Sequence, residues 1–137
     1  MNLDTVKEFM NQFQTCVLST VNGNSPQSAT VGFSVDDNFD ILIATRTITR
    51  KAKNLANNPN VSIVIGFEGA KTVQLQGTAT EISAEELGAR LDYHFEKVPM
   101  AKERVGDKYQ VYFIIKPNWL RITDFTAENP VIETEEF

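Results

Sequence analysis

Apolar and polar residues alternate along much of the chain with the two-residue period of half-buried β-strands. The segment KTVQLQGTATEI shows this most clearly, because Val73 and Leu75 would share one face while Gln74 and Gln76 share the other. Seven strands are predicted in this way, at residues 16–21, 27–35, 41–45, 61–67, 72–82, 109–116 and 119–125. Gly77 interrupts the fifth strand and indicates a bulge, or the close approach of another backbone or a ligand.

Helices are predicted where apolar residues recur every three to four positions, at residues 4–14, 49–57 and 84–96. Asp4, Thr49 and Ser83 are the candidate N-caps. Asn22-Gly23 is a strong hairpin signal, and Pro117-Asn118 is expected to turn the chain between the last two strands. The acidic tail, residues 126–137, is expected to be extended. Hairpin-linked strands with short connecting helices are typical of a small antiparallel barrel of the mainly β (α+β) class, rather than of a parallel α/β sheet.

Length and charge narrow the functional classes. The 137 residues suffice for one domain with a real core, and the formal net charge of −5 disfavours nucleic acid or an anionic membrane as a general partner. A single cysteine, Cys16, excludes an internal disulfide and a cysteine-based zinc site, and its apolar neighbours predict a buried, inert thiol. Neither a signal peptide nor a membrane-spanning apolar run is recognised, so a cytoplasmic location is expected.

The turn after the third predicted strand concentrates hydroxyl groups and cations. Within seven residues it holds Thr45, Arg46, Thr47, Thr49, Arg50 and Lys51. The helix that begins there adds free backbone N–H groups and the positive end of its dipole, so this turn is a candidate cradle for a phosphate group. Against this, cations on the first turn of a surface helix are commonly just solvated, and a threonine before a helix commonly just caps it. These residues alone leave both interpretations open.

Side chains that could perform catalysis themselves are scarce. The one histidine, His94, lies in a predicted helix between Asp92 and Glu96, where a solvated or half-buried ring is expected. Without a second histidine or cysteine, no transition-metal site is expected. Nucleophile-elbow, P-loop and dinucleotide glycine motifs are also missing. A cradle beside Thr-, Ser- and Gln-rich strands instead favours a phosphorylated cofactor that carries the chemistry.

Taken in order, the motifs resemble the pyridoxamine 5′-phosphate oxidase-like family of FMN-binding split barrels. The resemblance is carried by TRTITRKAKNLANNP at residues 45–59 and KTVQLQGTA at residues 71–79, and it covers about residues 5–125. It implies a six- to seven-stranded split β-barrel with short covering helices, forming a single FMN-binding domain over residues 1–137. It also implies a homodimer in which both chains line a flavin pocket at the subunit interface.

The resemblance further implies a set of cofactor-binding residues. They are Ala29, Thr30, Val31, Gly32, Phe33, Ser34, Ala44, Thr45, Arg50, Lys51, Thr72 and Trp119. Arg50 and Lys51 would hold the phosphate with help from Ala44 and Thr45, while the strand at 29–34 would pass under the flavin ring. That strand could equally be an ordinary hairpin strand, Thr72 a residue on a solvated face, and Trp119 a core or interface residue.

Departures from the family pattern limit the function that can be inferred. Vitamin B6 oxidases carry a lysine where this chain has Ser34, and an Arg-Leu-His-Asp-Arg run where it has RITDF at 121–125. The resemblance therefore implies an FMN-dependent oxidoreductase with an unknown small-molecule substrate or NAD(P)H, not a vitamin B6 oxidase. The alternatives are a non-catalytic flavin-binding or stress-related redox-sensing module and, less favoured, a haem-binding relative. Catalytic residues are not identified, and FMN is not distinguished from a related deazaflavin.

Overall fold

A computed structural model describes residues 1–126 and 128–137, and its strands form a closed antiparallel barrel. The strands are β1 (Thr15–Asn22), β2 (Ser25–Val35), β3 (Ile41–Arg46), β4 (Asn60–Ile65), β5 (Lys71–Ile82), β6 (Gln110–Asp124) and β7 (Val131–Glu136). They pair in the order β3-β2-β1-β4-β5-β6-β7, and an additional pairing of β3 with β6 closes six of them into a ring. The predicted mainly β antiparallel barrel with short helices is confirmed.

β6 closes the barrel and also carries the seventh strand. Its first part pairs with β3 up to Ile115, and its last part pairs with β7 from Trp119 onward. The turn predicted at Pro117-Asn118 is wrong, since these residues lie inside one continuous strand. A proline is tolerated there because it falls between the β3 and β7 pairings, where the ladder shifts register opposite Gln76 and Gly77.

The bulge predicted at Gly77 is confirmed by that register shift. Gly77 lies opposite Pro117, and a Cβ added to Gly77 would overlap the carbonyl oxygen of Lys116. A side chain is therefore excluded by backbone atoms, which cannot rotate out of the way.

The barrel interior is filled by side chains from all six closing strands. Val73, Leu75 and Ala79 point inward from β5 as the alternating pattern predicts. α1 (Leu3–Met10) and α2 (Arg50–Asn57) contribute Met10 and Leu55 to the same core. Cys16 is fully buried there, as predicted, and burial raises the pKa of its thiol to about 12, so an unreactive thiol is expected.

Three further helices lie against the outside of the barrel: α3 (Ala84–Leu87), α4 (Ala89–Lys97) and α5 (Pro99–Lys102). Leu87 and Leu91 pack on Leu42 of β3 and Tyr112 of β6. The sequence predicts one helix over residues 84–96, but Gly88 at φ +53° divides it into α3 and α4. This backbone conformation favours glycine and cannot continue a right-handed helix.

The ends of the elements test the predicted caps and turns. Thr49 and Ser83 cap α2 and α3 as predicted, accepting hydrogen bonds from Ala52 N and Glu86 N. Asp4 is not an N-cap: Asn2 Oδ1 accepts from Thr5 N at 3.2 Å, so α1 begins at Leu3. The hairpin at Asn22-Gly23 is confirmed, with Asn22 paired to Ser25.

The tail is extended where β7 forms, over Val131–Glu136, although Ala127 of the same predicted segment lies outside the described residues. Within the ranges that the structure describes, no helix is long and apolar enough to cross a membrane.

Candidate functional site

The turn between β3 and α2 is held by a chain of hydroxyl groups. Thr49 Oγ1 donates to the carbonyl of Arg46 at 2.9 Å and lies 3.1 Å from Thr45 Oγ1. Since the Thr49 hydroxyl has one proton, Thr45 is the donor in the second bond. Thr45 is buried and helps to hold the turn. The phosphate-donor role predicted for it would require its hydroxyl to rotate away from Thr49.

A buried asparagine fixes α2 on the barrel. Asn54 Nδ2 donates to Thr20 Oγ1 of β1 at 2.9 Å and to Gln27 Oε1 of β2 at 3.0 Å. Leu55, one position on, enters the core. These contacts orient the helix so that its first residues, Arg50 and Lys51, lie at the surface end, exposed and half-buried respectively.

The first turn of α2 carries positive charge without a compensating carboxylate. It contains no acidic residue, and across the part of the chain that is described neither Arg50 nor Lys51 has an ion-pair partner. Burial lowers the pKa of Lys51, so an anion beside it would stabilise its charged form. Two cations also oppose the positive end of the helix dipole, and a bound anion would relieve that conflict.

Arg46, the third cation of the predicted cradle, faces elsewhere. Its Nη2 lies 3.3 Å from Asp107 Oδ2, and its guanidinium lies over the ring of Tyr109. The candidate phosphate site therefore consists of Arg50, Lys51 and their backbone N–H groups.

A cavity of about 210 Å³ lies between helices α4 and α5 and the outer faces of β2 and β3. Gly32 and Ala44 line it, and both are among the predicted flavin-binding residues. The fit around Gly32 is tight, since an added Cβ would lie 2.7 Å from Val98 Cγ1. Gly32 of β2 and Ala44 of β3 thus line the cavity, and Thr45 follows Ala44 in the chain.

His94 lines this cavity and is completely buried, so the prediction of a solvated or half-buried ring is wrong. Its Nδ1 lies 2.6 Å from Ser34 Oγ, which also accepts a hydrogen bond of 2.8 Å from Arg90 Nη1. Desolvation, with the charges of Arg90 and Lys97, lowers the pKa of His94 to about 4. Charged sequence neighbours suggested an exposed ring, but His94 points from α4 into the barrel wall.

The hydrogen bonds of Ser34 fix which nitrogen of His94 carries the proton. Arginine can only donate, so Ser34 Oγ accepts from Arg90. Among the described residues, His94 Nδ1 is the one acceptor within reach of the Ser34 hydroxyl proton. Nδ1 therefore accepts, and the neutral ring holds its proton on Nε2. That Nε2 is buried and has no partner within residues 1–126 and 128–137.

The predicted strand 29–34 presents two different faces. Ala29, Val31 and Phe33 point into the barrel, as the pairing of Ala29 with buried Leu18 illustrates. Thr30, Gly32 and Ser34 point outward. Ser34 is covered by α4 and hydrogen-bonded to His94 and Arg90, and Val98 lies over Gly32, so Thr30 is the one of these three residues that stays exposed.

Thr72 and Trp119 lie far from this end of the barrel. Thr45 pairs with Val111 and Thr72 pairs with Thr123, so twelve positions of β6 separate the two, or about 40 Å along the strand. Trp119 lies against Arg121 and lines a separate surface groove with Gln76 and Ser62. Gly32 and Ala44 line the cavity, and Thr45 is hydrogen-bonded to Thr49 at the start of α2. Neither Thr72 nor Trp119 lines that cavity.

Metal binding finds no support in the described ranges, which contain no cluster of three or more His, Cys, Asp or Glu side chains.

Comparison with known proteins identifies the kind of molecule that has this architecture. Residues 3–124 match the family model described as Pyridoxamine 5'-phosphate oxidase. No curated protein matches the sequence.

Solved structures share the whole fold at low sequence identity. General Stress Protein 26 from Bacillus anthracis str. Sterne is 24% identical, with 100% of each chain covered and a TM-score of 0.72. A pyridoxamine 5'-phosphate oxidase-related, FMN-binding protein from Nostoc punctiforme PCC 73102 is 17% identical, with 98% of this chain and 94% of that chain covered and a TM-score of 0.72. A haem-binding protein from Mycobacterium smegmatis is 17% identical with a TM-score of 0.81, and the match covers 95% of this chain but only 55% of that one.

Proposed function

The chain belongs to the pyridoxamine 5′-phosphate oxidase family, and from that premise we propose that it is an FMN-binding flavoprotein that acts as an oxidoreductase on a small molecule or NAD(P)H. Residues 1–137 would form the single FMN-binding domain. Ser34 and the RITDF segment at 121–125 replace residues that vitamin B6 oxidases use, so pyridoxamine phosphate is not the proposed substrate. A cytoplasmic location is proposed on the sequence grounds given above.

The observation that carries this proposal is the cationic start of α2. Arg50 supplies a forked set of donors and Lys51 a compact charge, and the two backbone N–H groups at the helix start add to them. Asn54 anchors this helix through two buried hydrogen bonds, so the cations would be held in place before a ligand arrives. Such preorganisation favours binding, because less side-chain and helix motion is lost on complex formation.

The ring side of the proposed site is supported by the cavity. Gly32 and Ala44 line it beside the apolar side chain of Val98, and the unpartnered His94 Nε2–H would be a donor for a polar ring atom. When bound, FMN would supply the capacity to accept and return a hydride or electrons. The residues of the chain would bind and orient it and keep water from the covered edge.

A second copy of the chain would complete the pocket. Thr72 and Trp119 do not line the cavity of their own protomer, so their predicted flavin contacts are assigned in this proposal to a partner protomer. The outer face around Trp119 carries Val17 and Val64, which are half-buried beside exposed Ser62. Because helices α3 to α5 cover a different part of the barrel, this mixed apolar and polar face is open for the proposed homodimer.

Two alternatives differ from catalysis by a flavin. A non-catalytic, stress-related flavin module would use the same cradle, and the fold shared with General Stress Protein 26 is consistent with it. Haem ligation by His94 is disfavoured, because Nε2 carries the ring proton while Ser34 donates to Nδ1, and iron binds an unprotonated ring nitrogen.

The test begins with the absorption spectrum of the purified protein and its FMN affinity. Replacing both cations, Arg50→Ala with Lys51→Ala, should weaken FMN binding by about 100-fold or more, since each charge-assisted bond contributes about 1.5–3 kcal/mol. Lys53→Ala, an exposed cation on the same helix, is the matched control and should change the affinity little. Unchanged FMN affinity in the double variant would refute the cradle.

Turnover separates the catalytic from the non-catalytic form of the proposal. Bleaching of the flavin spectrum by NAD(P)H supports a reductase, a flavin spectrum that stays unbleached favours the binding module, and a Soret band favours haem.

A further inference from the structure

Two residues that line the cavity beside α4 each have a buried polar atom without a partner. One is His94 Nε2 and the other is Gln110 Oε1, and neither has a hydrogen-bond partner among the residues described. Gln110 separates this cavity from a groove on its other side. A buried donor or acceptor that stays unpaired is destabilising, so such atoms mark places where a ligand gains affinity by pairing them.

The chemistry of the two atoms is complementary. Ser34 donates to His94 Nδ1, so Nε2–H is a donor, while the amide oxygen of Gln110 is an acceptor. Arg90 holds Ser34 through both its hydroxyl and its carbonyl oxygen, at 2.8 Å each, and thereby keeps this tautomer in place. A ligand that paired both atoms would therefore present an acceptor and a donor, as the C=O and N–H of an amide or imide do.

The charge and size of the cavity point to a neutral, planar group. The charged residues that line it, Glu103 and Arg104, have opposite signs, so neither anions nor cations are favoured. The volume of about 210 Å³ is several times the roughly 30 Å³ share of one water molecule. Val98 lies over Gly32, so the wall of the cavity beside β2 is apolar.

We propose that this cavity binds the amide- or imide-type edge of a neutral planar ligand, whose carbonyl oxygen accepts from His94 Nε2–H and whose N–H donates to Gln110 Oε1. Two sources have this chemistry: the ring edge of the flavin, in which case the inference deepens and rests on the proposed function, or a small carboxamide substrate. Ser34 and Arg90 act as positioning residues, because they set the tautomer of His94 without touching the ligand.

The single histidine makes the test direct, since a protein labelled with 15N-histidine gives one imidazole spin system. The full-length protein is titrated with lumiflavin, which is the flavin ring without the ribityl phosphate, and separately with nicotinamide. The free protein should show the Nε2–H tautomer, and a ligand in the cavity should shift the Nε2 resonance. Response to lumiflavin assigns the site to the flavin ring, and response to nicotinamide alone assigns it to a carboxamide substrate. An Nδ1–H tautomer, or an Nε2 resonance that ignores both probes at saturation, overturns the proposal.

Variants provide an independent readout that does not depend on activity. Gln110→Met keeps the length of the side chain and removes its amide, and it should weaken binding of the responding probe about tenfold. Gln12→Met, at an exposed position just after α1, is the matched control and should leave binding unchanged. Ser34→Ala should shift the His94 tautomer toward a mixture, which a purely structural serine would not do. Equal affinities for the Gln110 and Gln12 variants would count against the pairing.

Failure of this proposal can be told apart from failure of the proposed function. Arg50→Ala with Lys51→Ala should weaken FMN but not lumiflavin, because lumiflavin has no phosphate. If the double variant binds FMN normally while Nε2 still responds to lumiflavin, the cradle is refuted and the cavity proposal stands. If FMN binding depends on the cradle but Nε2 ignores both probes, the reverse holds.

Discussion

His94 should make the stability of the fold depend on pH in a specific window. Its pKa is lowered from 6.5 to about 4 because the ring is desolvated and lies near the charges of Arg90 and Lys97. In the unfolded chain the same ring titrates near its ordinary value, so between these two values the unfolded state binds the proton and the native state does not. The contribution of His94 to the free energy of unfolding is therefore fully present above about pH 6.5 and is lost as the pH is lowered toward 4.

The size of the effect follows from the shift in pKa. Each pKa unit corresponds to about 1.4 kcal/mol, so a shift of roughly two and a half units corresponds to about 3 kcal/mol across the window. This is a large share of the 5–15 kcal/mol or so by which small domains are stable. The structural reason is that Ser34 donates to Nδ1, so protonation of the ring requires this bond to break or reverse while Arg90 stays beside it.

Urea unfolding at pH 7, 6, 5 and 4.5 measures the effect, with His94→Gln as the comparison. Glutamine does not titrate and can still hydrogen-bond to Ser34, so acid destabilisation caused by carboxylates remains in both proteins. The difference in unfolding free energy between wild type and variant should shrink or reverse by about 2 kcal/mol or more between pH 7 and pH 4.5. A constant difference across that range, or a native-state pKa of 6 or higher for the single histidine by NMR, would refute the reasoning.

Three further outcomes follow from the fold. Gly77→Ala should lower the free energy of unfolding in urea by about 2 kcal/mol or more, because its Cβ would overlap the carbonyl of Lys116. Gly69→Ala is the control and should cost less than about 1 kcal/mol, because its Cβ would have no neighbour closer than 3.9 Å. Equal costs would contradict the bulge geometry. Asn2→Ala should lower the free energy of unfolding by about 1 kcal/mol, because the N-cap of α1 is lost, and Asp4→Ala should lower it clearly less. A larger loss for Asp4→Ala than for Asn2→Ala would show that Asp4 is the cap. Cys16 should react with a thiol reagent such as DTNB only as fast as the protein unfolds, since the thiol is buried and its pKa is raised to about 12; rapid labelling of the native protein would show an accessible thiol.

Local pattern was sufficient for most of the barrel. Val73 and Leu75 could be assigned to the inner face because the side-chain period of a strand is fixed by the backbone, whatever lies opposite. Thr49 could be identified as a cap because it bonds within its own turn. The same reasoning failed at Pro117, because a proline inside a strand is tolerated only where the strand lacks a neighbour on one side, and the identity of the neighbours of β6 depends on the closed barrel.

The candidate site could be predicted from the sequence only in part. Arg50 and Lys51 could be proposed as phosphate-binding residues because the cradle is contiguous in sequence. His94 and Ser34 are sixty positions apart, and neither has a sequence neighbour that signals their contact. Their hydrogen bond exists only because α4 folds over β2, so a histidine that was expected to be solvated or half-buried became part of a buried pair.

The late position of β6 in the chain also determines when the barrel can close during synthesis. Residues 110–124 supply the shared neighbour of β3 and β5, and they come after more than three quarters of the chain. Until a ribosome has released them, β3 and β5 each present an open edge with unpaired backbone groups, the kind of surface on which nascent chains aggregate. We expect chains truncated before residue 110 to be insoluble and bound by chaperones, and ring closure between residues distant in sequence to be the slow step of folding.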